Sequence, residues 1–146
     1  MTTTVAIVVT DRCQASSVFT TIDMLIAANY AAKHYLAEAT PAFEFYLCAS
    51  KNQITAYNGH RITPIHNLKQ LPKLDLVILP GAFESVLNQQ QVQPLLKQLT
   101  SLGQQLKSWQ QQGVTLASVC TGNFILAAAG LAQNCMLTCH WASEQT

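Results

Sequence analysis

Charge is what this chain has least of. Only 10% of its 146 residues are Asp, Glu, Lys or Arg, against about 25% in an ordinary soluble protein. The 8 basic and 7 acidic residues leave a formal net charge of +1. This segment therefore lacks the dense basic face that binds nucleic acid. It also lacks the cluster of lysine and arginine that binds an anionic membrane surface.

Long hydrophobic runs and secretion signals are also missing. No apolar stretch reaches the roughly 20 residues needed to span a bilayer. The N-terminal Met1–Thr4 has no basic residue, and Thr10–Arg12 interrupts the apolar segment that follows, so the pattern of a signal peptide is absent. The cysteines are odd in number and match no zinc-site spacing, which predicts a reduced, cytoplasmic protein with no metal or other cofactor. They are Cys13, Cys48, Cys120, Cys135 and Cys139.

Hydrophobic residues, by contrast, make up 49% of the chain. Its length corresponds to one domain. Polarity comes largely from 15 glutamines. The stretch Glu84–Gln112 is rich in glutamine and helical in pattern, which predicts a helix with a solvated face and a break at Gly103.

Short apolar runs alternate with helical patterns along the whole chain. Helices are predicted from Val18 to Leu36, with a cap at Ser16 or Ser17, and from Asn123 to Leu131. Asn58-Gly59 lies between two alternating segments and predicts a β-hairpin. This order predicts an α/β fold: a flavodoxin-like, Rossmann-like three-layer αβα sandwich with a mainly parallel sheet and a β-hairpin excursion. The predicted sheet strands are Val5–Val9, Phe43–Ala49, Leu74–Leu79, Val114–Val119 and a last one starting at Met136–Cys139.

The most distinctive local feature is a cysteine between a buried strand and a helix, in Ala117–Gly122. A nucleophile at such a turn projects above the sheet edge, and small neighbours allow the turn to be tight. The backbone N–H of Thr121 is a candidate oxyanion donor. This pattern resembles a nucleophile elbow with Cys120 in place of serine. A buried structural cysteine at a strand end fits the local sequence equally well.

Two further positions are candidates for the same site. Gly81 and Ala82 follow a predicted strand, where glycine lets a backbone approach a ligand and offer a second oxyanion donor; a plain strand-to-helix turn has the same pattern. His140 lies 20 positions after Cys120, across one helix, and cysteine with histidine is the minimal pair for acyl or proton transfer. A packed histidine beside Trp141 is the alternative.

These residues also resemble a known family. Val119–Leu131 is similar to the elbow-and-helix signature of the ThiJ/PfpI, class I glutamine-amidotransferase-like superfamily. Leu137–Trp141 resembles the T-x-H-W variant of the GlxA-type branch of AraC-family transcription regulators, and Asp75–Gly81 and Ser16–Leu25 match its third strand and first helix. The resemblance implies that residues 1–146 form a single ThiJ/PfpI-like domain, cut short at its C-terminus. A DNA-binding helix-turn-helix domain is then expected downstream.

One departure from the family bears on activity. Catalytic members carry an acidic residue early in the first helix, and alignment on Asp23 puts Ser17 at that position. Asp23 itself lies six residues after Ser17, which places it ~9 Å further along the helix axis than Ser17. Thr121 also replaces the histidine that protease-like members have after the cysteine. The resemblance therefore implies a non-catalytic domain that binds a small-molecule effector between Cys120, Gly81, Ser17 and His140.

The same resemblance implies a homodimer that meets DNA only through the downstream domain and does not meet a membrane. Two other functions stay open. One is a cysteine-dependent amidase, hydratase or glyoxalase-like enzyme, with Cys120 and His140 as catalytic residues. The other is a redox sensor in which Cys120 is oxidised and Cys13, Cys135 or Cys139 is its partner.

Overall fold

The computed structural model describes residues 1–82, 89–133 and 135–138, with residues 89–99 described by their backbone alone. The helices are α1 (Ala15–Tyr35), α2 (Gln89–Gln111) and α3 (Asn123–Ala128). The strands are β1 (Thr3–Val8), β2 (Phe43–Ala49), β3 (Ile54–Thr55), β4 (Arg61–Ile62), β5 (His66–Asn67), β6 (Leu76–Leu79) and β7 (Thr115–Ser118).

The predicted α/β class and mainly parallel sheet are confirmed. Within the described ranges, five parallel strands form one sheet in the order β5-β2-β1-β6-β7. The central strand β1 pairs through Val5 with Phe45 on one side and Leu76 on the other. Because strand directions agree, the carboxyl ends of β1, β6 and β7 meet at one edge of the sheet, where open α/β folds bind ligands.

Helices cover both faces of the sheet, which is why the central strand β1 is apolar and buried at consecutive positions from Val5 to Val8 rather than alternating. Val5 and Ile7 face α1 and pack with Leu25. Ala6 and Val8 point to the other face, which α2 and α3 cover. That face holds the largest buried cluster: Ala6, Val8, Cys48, Leu74, Val77, Leu79, Leu102, Leu106, Trp109, Val114, Ile125 and Leu126.

The predicted hairpin is confirmed as well. Strands β3 and β4 pair antiparallel, with Ile54 opposite Ile62. Gly59 has φ +83° in the turn, a conformation that glycine adopts without steric cost. Ile54 and Ile62 are buried with Val18 at the start of α1, so the hairpin closes over the beginning of that helix.

Two helix details differ from the predictions. The cap residue of α1 is Gln14, and no side chain caps the helix; the Ser17 hydroxyl instead donates to the Gln14 carbonyl. Helix α2 continues through Gly103 without a break. A Cβ at Gly103 would lie 3.3 Å from the Ala129 Cβ, so this glycine allows α2 to approach the end of α3 closely. Residues 84–88 of the predicted helix lie outside the described residues.

The last predicted strand was wrong over its described part. Residues 135–138 form no strand, and Cys139 and His140 lie outside the described residues. Among the helices that the structure describes, none combines the length and the hydropathy that crossing a bilayer requires.

Candidate functional site

Cys120 occupies a tight turn between β7 and α3. Residues Cys120–Gly122 form a single turn of 3-10 helix that leads directly into α3. Cys120 has φ +52°, in the left-handed region that non-glycine residues rarely adopt and that costs of order 1–3 kcal/mol. Cys120 is exposed. The turn therefore holds its thiol at the carboxyl edge of the sheet in a strained backbone conformation.

Contact with the end of β6 keeps this turn in place. The Val119 N–H donates to the Leu79 carbonyl at 2.9 Å. Gly122 lies so close to the same carbonyl that a Cβ on Gly122 would be 2.3 Å from that oxygen. The Cys120 turn is thus pressed onto the backbone of the neighbouring strand, and only glycine fits at position 122.

Ser17 joins the start of α1 to the segment that follows β6. The Gly81 N–H donates to Ser17 Oγ at 3.0 Å, and Ser17 Oγ donates to the Gln14 carbonyl at 2.8 Å. The Gln14 N–H in turn donates to the Gly81 carbonyl at 2.7 Å. Ser17 is buried. In this arrangement the serine hydroxyl is both donor and acceptor inside the protein.

Thr121 makes the matching connection from the Cys120 turn. The Ala82 N–H donates to Thr121 Oγ1 at 2.9 Å, and Thr121 Oγ1 donates to the Ala82 carbonyl at 2.7 Å. Both residues are buried. Cys13 forms an isolated antiparallel bridge with Ala82, so three loops are tied together around Ala82.

The structure therefore brings together five of the six site residues predicted from the sequence. Their polar groups are engaged: the Gly81 and Ala82 N–H groups donate to the hydroxyls of Ser17 and Thr121. An oxyanion bound by these amides would have to displace those hydroxyls. The sixth residue, His140, lies outside the described residues.

A groove next to Cys120 differs from the predicted pocket. It has a volume of about 530 Å³ and runs along the outer side of β7. Of the four residues expected to line the pocket, Cys120 lines this groove, whereas Ser17 and Gly81 do not. The lining is mostly apolar: Leu116, Ala117, Ser118, Cys120, Leu126, Met136, Leu137 and Thr138.

The four cysteines within the described ranges fall into two classes by environment. Burial raises the pKa of Cys13 to about 11 and the pKa of Cys48 to about 12. Cys120 and Cys135 are exposed. Within the described ranges, no group of three or more His, Cys, Asp or Glu side chains lies close enough together to hold a metal ion.

This difference predicts the order in which the thiols react. At pH 8, iodoacetamide should alkylate Cys120 and Cys135 in the folded protein and leave Cys13 and Cys48 unmodified, because only exposed thiolate reacts readily. Peptide mass mapping after a timed quench measures this. A control in urea should show all five cysteines modified. Labelling of Cys13 as fast as Cys120 in the folded protein would contradict the structure.

Sequence reasoning missed Gln14. Its side-chain Oε1 lies 3.2 Å from the position that a Cβ on Gly81 would occupy, beside Thr121 Oγ1 at 3.3 Å and the Val119 carbonyl at 3.4 Å. The Gln14 side chain therefore lies on the same side of Gly81 as Thr121 Oγ1 and the Val119 carbonyl. The signal available in the sequence was its position directly before the first helix, three residues before Ser17.

Comparison with known proteins places these features in context. The sequence model of the DJ-1/PfpI family matches residues 3–146. The chain is 33% identical over 89 residues to isonitrile hydratase of Pseudomonas putida, which is 61% of this chain and 36% of that protein. It is 33% identical over 95 residues to the HTH-type transcriptional regulator CdhR of Pseudomonas aeruginosa, which is 65% of this chain and 26% of that regulator.

A solved structure shows the same fold. The AraC family transcriptional regulator from Pseudomonas putida superposes with a TM-score of 0.62 at 19% sequence identity, over 90% of this chain and 72% of that one. The aligned segments amount to 36% and 26% of the two curated relatives, so the chain corresponds to a part of each.

Proposed function

Because the chain belongs to the DJ-1/PfpI family, we propose that it is the effector-binding and dimerising part of an AraC-type transcription regulator. The observation that carries this proposal is the hydrogen bonding of Ser17. This serine occupies the position where the family resemblance puts the catalytic acid. Its hydroxyl is held between the Gly81 N–H and the Gln14 carbonyl. Among the described residues, this hydrogen-bonded group contains no carboxylate, which favours effector binding over an acid-assisted turnover at Cys120.

The similarity to CdhR and to an AraC family regulator supports the same proposal. An effector bound beside Cys120 would change the orientation of an attached DNA-binding domain, provided that it binds the two orientations with different affinity. The chain's own net charge of +1 supports a DNA contact made by the attached domain rather than by this chain. A transcription regulator acts where the DNA is, so the proposal implies a cytoplasmic protein.

We expect binding without turnover. In a thermal-shift screen of amines, amino acids, carboxylates and amides, at least one compound should raise Tm in a saturable way, because a ligand that binds only the folded state stabilises it. Mass spectrometry of the reaction mixture should show no product. The variant Cys120→Ser should keep the shift. Steady product formation that Cys120→Ser abolishes would overturn the proposal.

An enzyme is the second candidate. The exposed thiol of Cys120 in a strained turn and the similarity to isonitrile hydratase favour it. In this proposal Cys120 attacks the substrate, His140 moves the proton, and the Thr121 N–H holds the developing oxyanion, joined by the Gly81 N–H when the oxyanion displaces the Ser17 hydroxyl from it. The product measurement above separates the two functions.

Redox sensing is the third candidate. It relies on the exposure of Cys120 and Cys135, since burial and its raised pKa make Cys13 a poor partner for oxidation. Peroxide treatment followed by mass mapping should find oxidation at Cys120 ahead of Cys135. Equal oxidation of both would argue against a dedicated sensor.

An exposed apolar face of α1 supports the dimer. Phe19, Ile26 and Tyr30 are 49%, 52% and 58% exposed, and their spacing of seven and four residues puts them on one side of the helix. Asp23 is exposed between them. Large exposed apolar side chains grouped around a polar position are typical of a protein interface, and we propose that a second copy covers this side of α1.

The variant Ile26→Lys should shift the protein from dimer to monomer, because a lysine in the centre of this face would remove apolar contact area and would have to give up its hydration in the interface. Sedimentation velocity measures the change. Ile65→Lys is the matched control, since Ile65 is 78% exposed on a different segment, and it should leave the dimer intact. A wild-type chain that sediments as a monomer at all concentrations would refute this interface.

A further inference from the structure

A second cavity lies at the carboxyl edge of the sheet, between the ends of β1 and β2 and the middle of α2. We call it the Asp11–Lys51 cavity, after two of the residues that line it. Its volume is about 300 Å³, at the lower end of the range of about 300–1,000 Å³ that small-molecule sites occupy. It shares no described lining residue with the groove beside Cys120, so it is a separate place for a ligand.

Parallel pairing of β1 with β2 builds this cavity. Val8 lies opposite Cys48, and the Val9 N–H donates to the Cys48 carbonyl at 2.9 Å. Because the two strands run in the same direction, the segments that follow them leave the sheet side by side, at the edge where α/β folds bind ligands. The buried part of the lining is apolar: Val8, Val9, Ile54 and Leu102 are at most 6% exposed. A short aliphatic group fits such a surface.

The polar part of the lining holds an ion pair. Lys51 Nζ lies 2.5 Å from Asp11 Oδ2, and Asp11 Oδ1 accepts from the Thr55 N–H at 3.1 Å. The Lys51 side chain is 49% exposed and the Asp11 side chain 25%, so both charges can be reached from solvent. Three hydroxyl side chains complete the described polar lining: Thr10, Ser50 and Ser101.

Both members of the ion pair have capacity for further hydrogen bonds. Burial raises the pKa of Asp11, but the hydrogen bonds from Lys51 and the Thr55 N–H bring that pKa below its ordinary value, so the carboxylate is ionised at neutral pH. An ammonium group has three donors, and each carboxylate oxygen has two lone pairs. The described contacts use one donor of Lys51 and one acceptor position on each Asp11 oxygen. A ligand can therefore bind both groups without separating them.

The two opposite charges restrict the class of ligand. A carboxylate that approaches Lys51 also meets the negative charge of Asp11, and an ammonium that approaches Asp11 also meets Lys51. A ligand with both charges pairs each of its own groups with the opposite one. In an α-amino acid the ammonium and the carboxylate are carried by one carbon atom, which matches the direct contact between Asp11 and Lys51.

We propose that the Asp11–Lys51 cavity binds a zwitterionic α-amino acid with a short aliphatic side chain. The carboxylate of the ligand pairs with Lys51, its ammonium pairs with Asp11, and its side chain packs on the buried apolar lining. This inference goes beyond the proposed function, because it assigns a second site that does not include Cys120.

The test is a titration of the full chain followed by two-dimensional ¹H–¹⁵N NMR. The ligands are L-norvaline, pentanoate, which lacks the ammonium, and butylammonium, which lacks the carboxylate. L-norvaline should shift the backbone amide signals of Asp11, Lys51 and Leu102 in a saturable way. Pentanoate and butylammonium should bind about tenfold more weakly, since each loses one charge-assisted hydrogen bond.

Variants assign each charge to its partner. Lys51→Met keeps the length of the side chain and should remove the advantage of L-norvaline over butylammonium. Asp11→Asn keeps an acceptor for the Thr55 N–H and should remove the advantage over pentanoate. The matched control is Lys107→Met, which changes an exposed lysine of α2 beside Gly130 and should bind as the wild type does. The dispersion of the NMR signals verifies that each variant is folded.

Equal binding of the three ligands to the wild type would overturn the inference, as would the absence of saturable shifts at the three amides. Variants that weaken all three ligands equally would also overturn it, because a merely structural role of the ion pair has that effect. Cys120→Ser should bind L-norvaline unchanged. Shifts confined to residues 119–122 and lost in Cys120→Ser would assign the amino acid to the Cys120 site, which removes this inference and leaves the proposed function standing.

Discussion

Gly122→Ala is expected to lower the free energy of unfolding by about 3 kcal/mol, the upper part of the range for overpacking a well-packed interior. The added Cβ would lie 2.3 Å from the Leu79 carbonyl oxygen and 3.0 Å from that of Pro80. Both are backbone atoms, so no side-chain rotation relieves the contact. The end of β6 and the Cys120 turn must separate. Urea denaturation followed by circular dichroism measures the loss.

The control for this prediction is Gly113→Ala. Gly113 has φ +84°, but a Cβ added there would have no neighbour within 4 Å, so this change costs only the left-handed backbone conformation, about 1 kcal/mol. Gly122 has φ −59°, which any residue adopts, so its cost is steric alone. If Gly122→Ala destabilised the protein no more than Gly113→Ala, the close approach of turn and strand would be refuted. The Gly122 variant should also lose ligand binding at Cys120.

Leu106→Ala is expected to cost about 3 kcal/mol, within the range of about 2–5 kcal/mol measured for large-to-small changes in protein cores. Leu106 lies in α2 and is fully buried. It belongs to the cluster that includes Val77 and Leu79 of β6, so its removal leaves a cavity between the helix and the sheet. Thermal or urea unfolding measures the effect.

An exposed leucine provides the comparison. Leu36, directly after α1, is 72% exposed, and Leu36→Ala should change stability by no more than about 0.5 kcal/mol. A similar loss in both variants would mean that α2 does not pack against β6 as described. A large loss in Leu106→Ala alone supports the packing that positions the Cys120 turn.

The sequence predicted most of the fold because each strand and helix carries its own pattern of apolar residues, and that pattern can be read from neighbours along the chain. The continuous apolar runs of β1 and β6 and the full extent of β2 match strands in the structure. Asn58-Gly59 predicted the hairpin because few turns fit two alternating segments joined by that pair. The errors fell where a contact from elsewhere decides the outcome. Gly103 predicted a break by its own propensity, but packing against Ala129 keeps α2 continuous.

The site was predicted less completely. Cys120 was identified because a cysteine between a buried strand and a helix has few structural interpretations. The roles of Ser17 and Thr121 were not visible, since each depends on a hydrogen bond to a residue far along the chain, Gly81 or Ala82. Gln14 was missed for the same reason, since no local pattern records that its side chain lies beside Gly81.

The sequence by itself determined the α/β class, the order of strands and helices, and the placing of Cys120 at a strand end. These follow from apolar periodicity and turn chemistry, which depend on near neighbours in the chain. Only the tertiary structure decided that the hydroxyls of Ser17 and Thr121 tie the loops together and that the Gln14 side chain lies beside Gly81. The physical reason is that these contacts join residues 39 to 67 positions apart, and their geometry exists only once the parallel strands have brought three loops to one edge of the sheet.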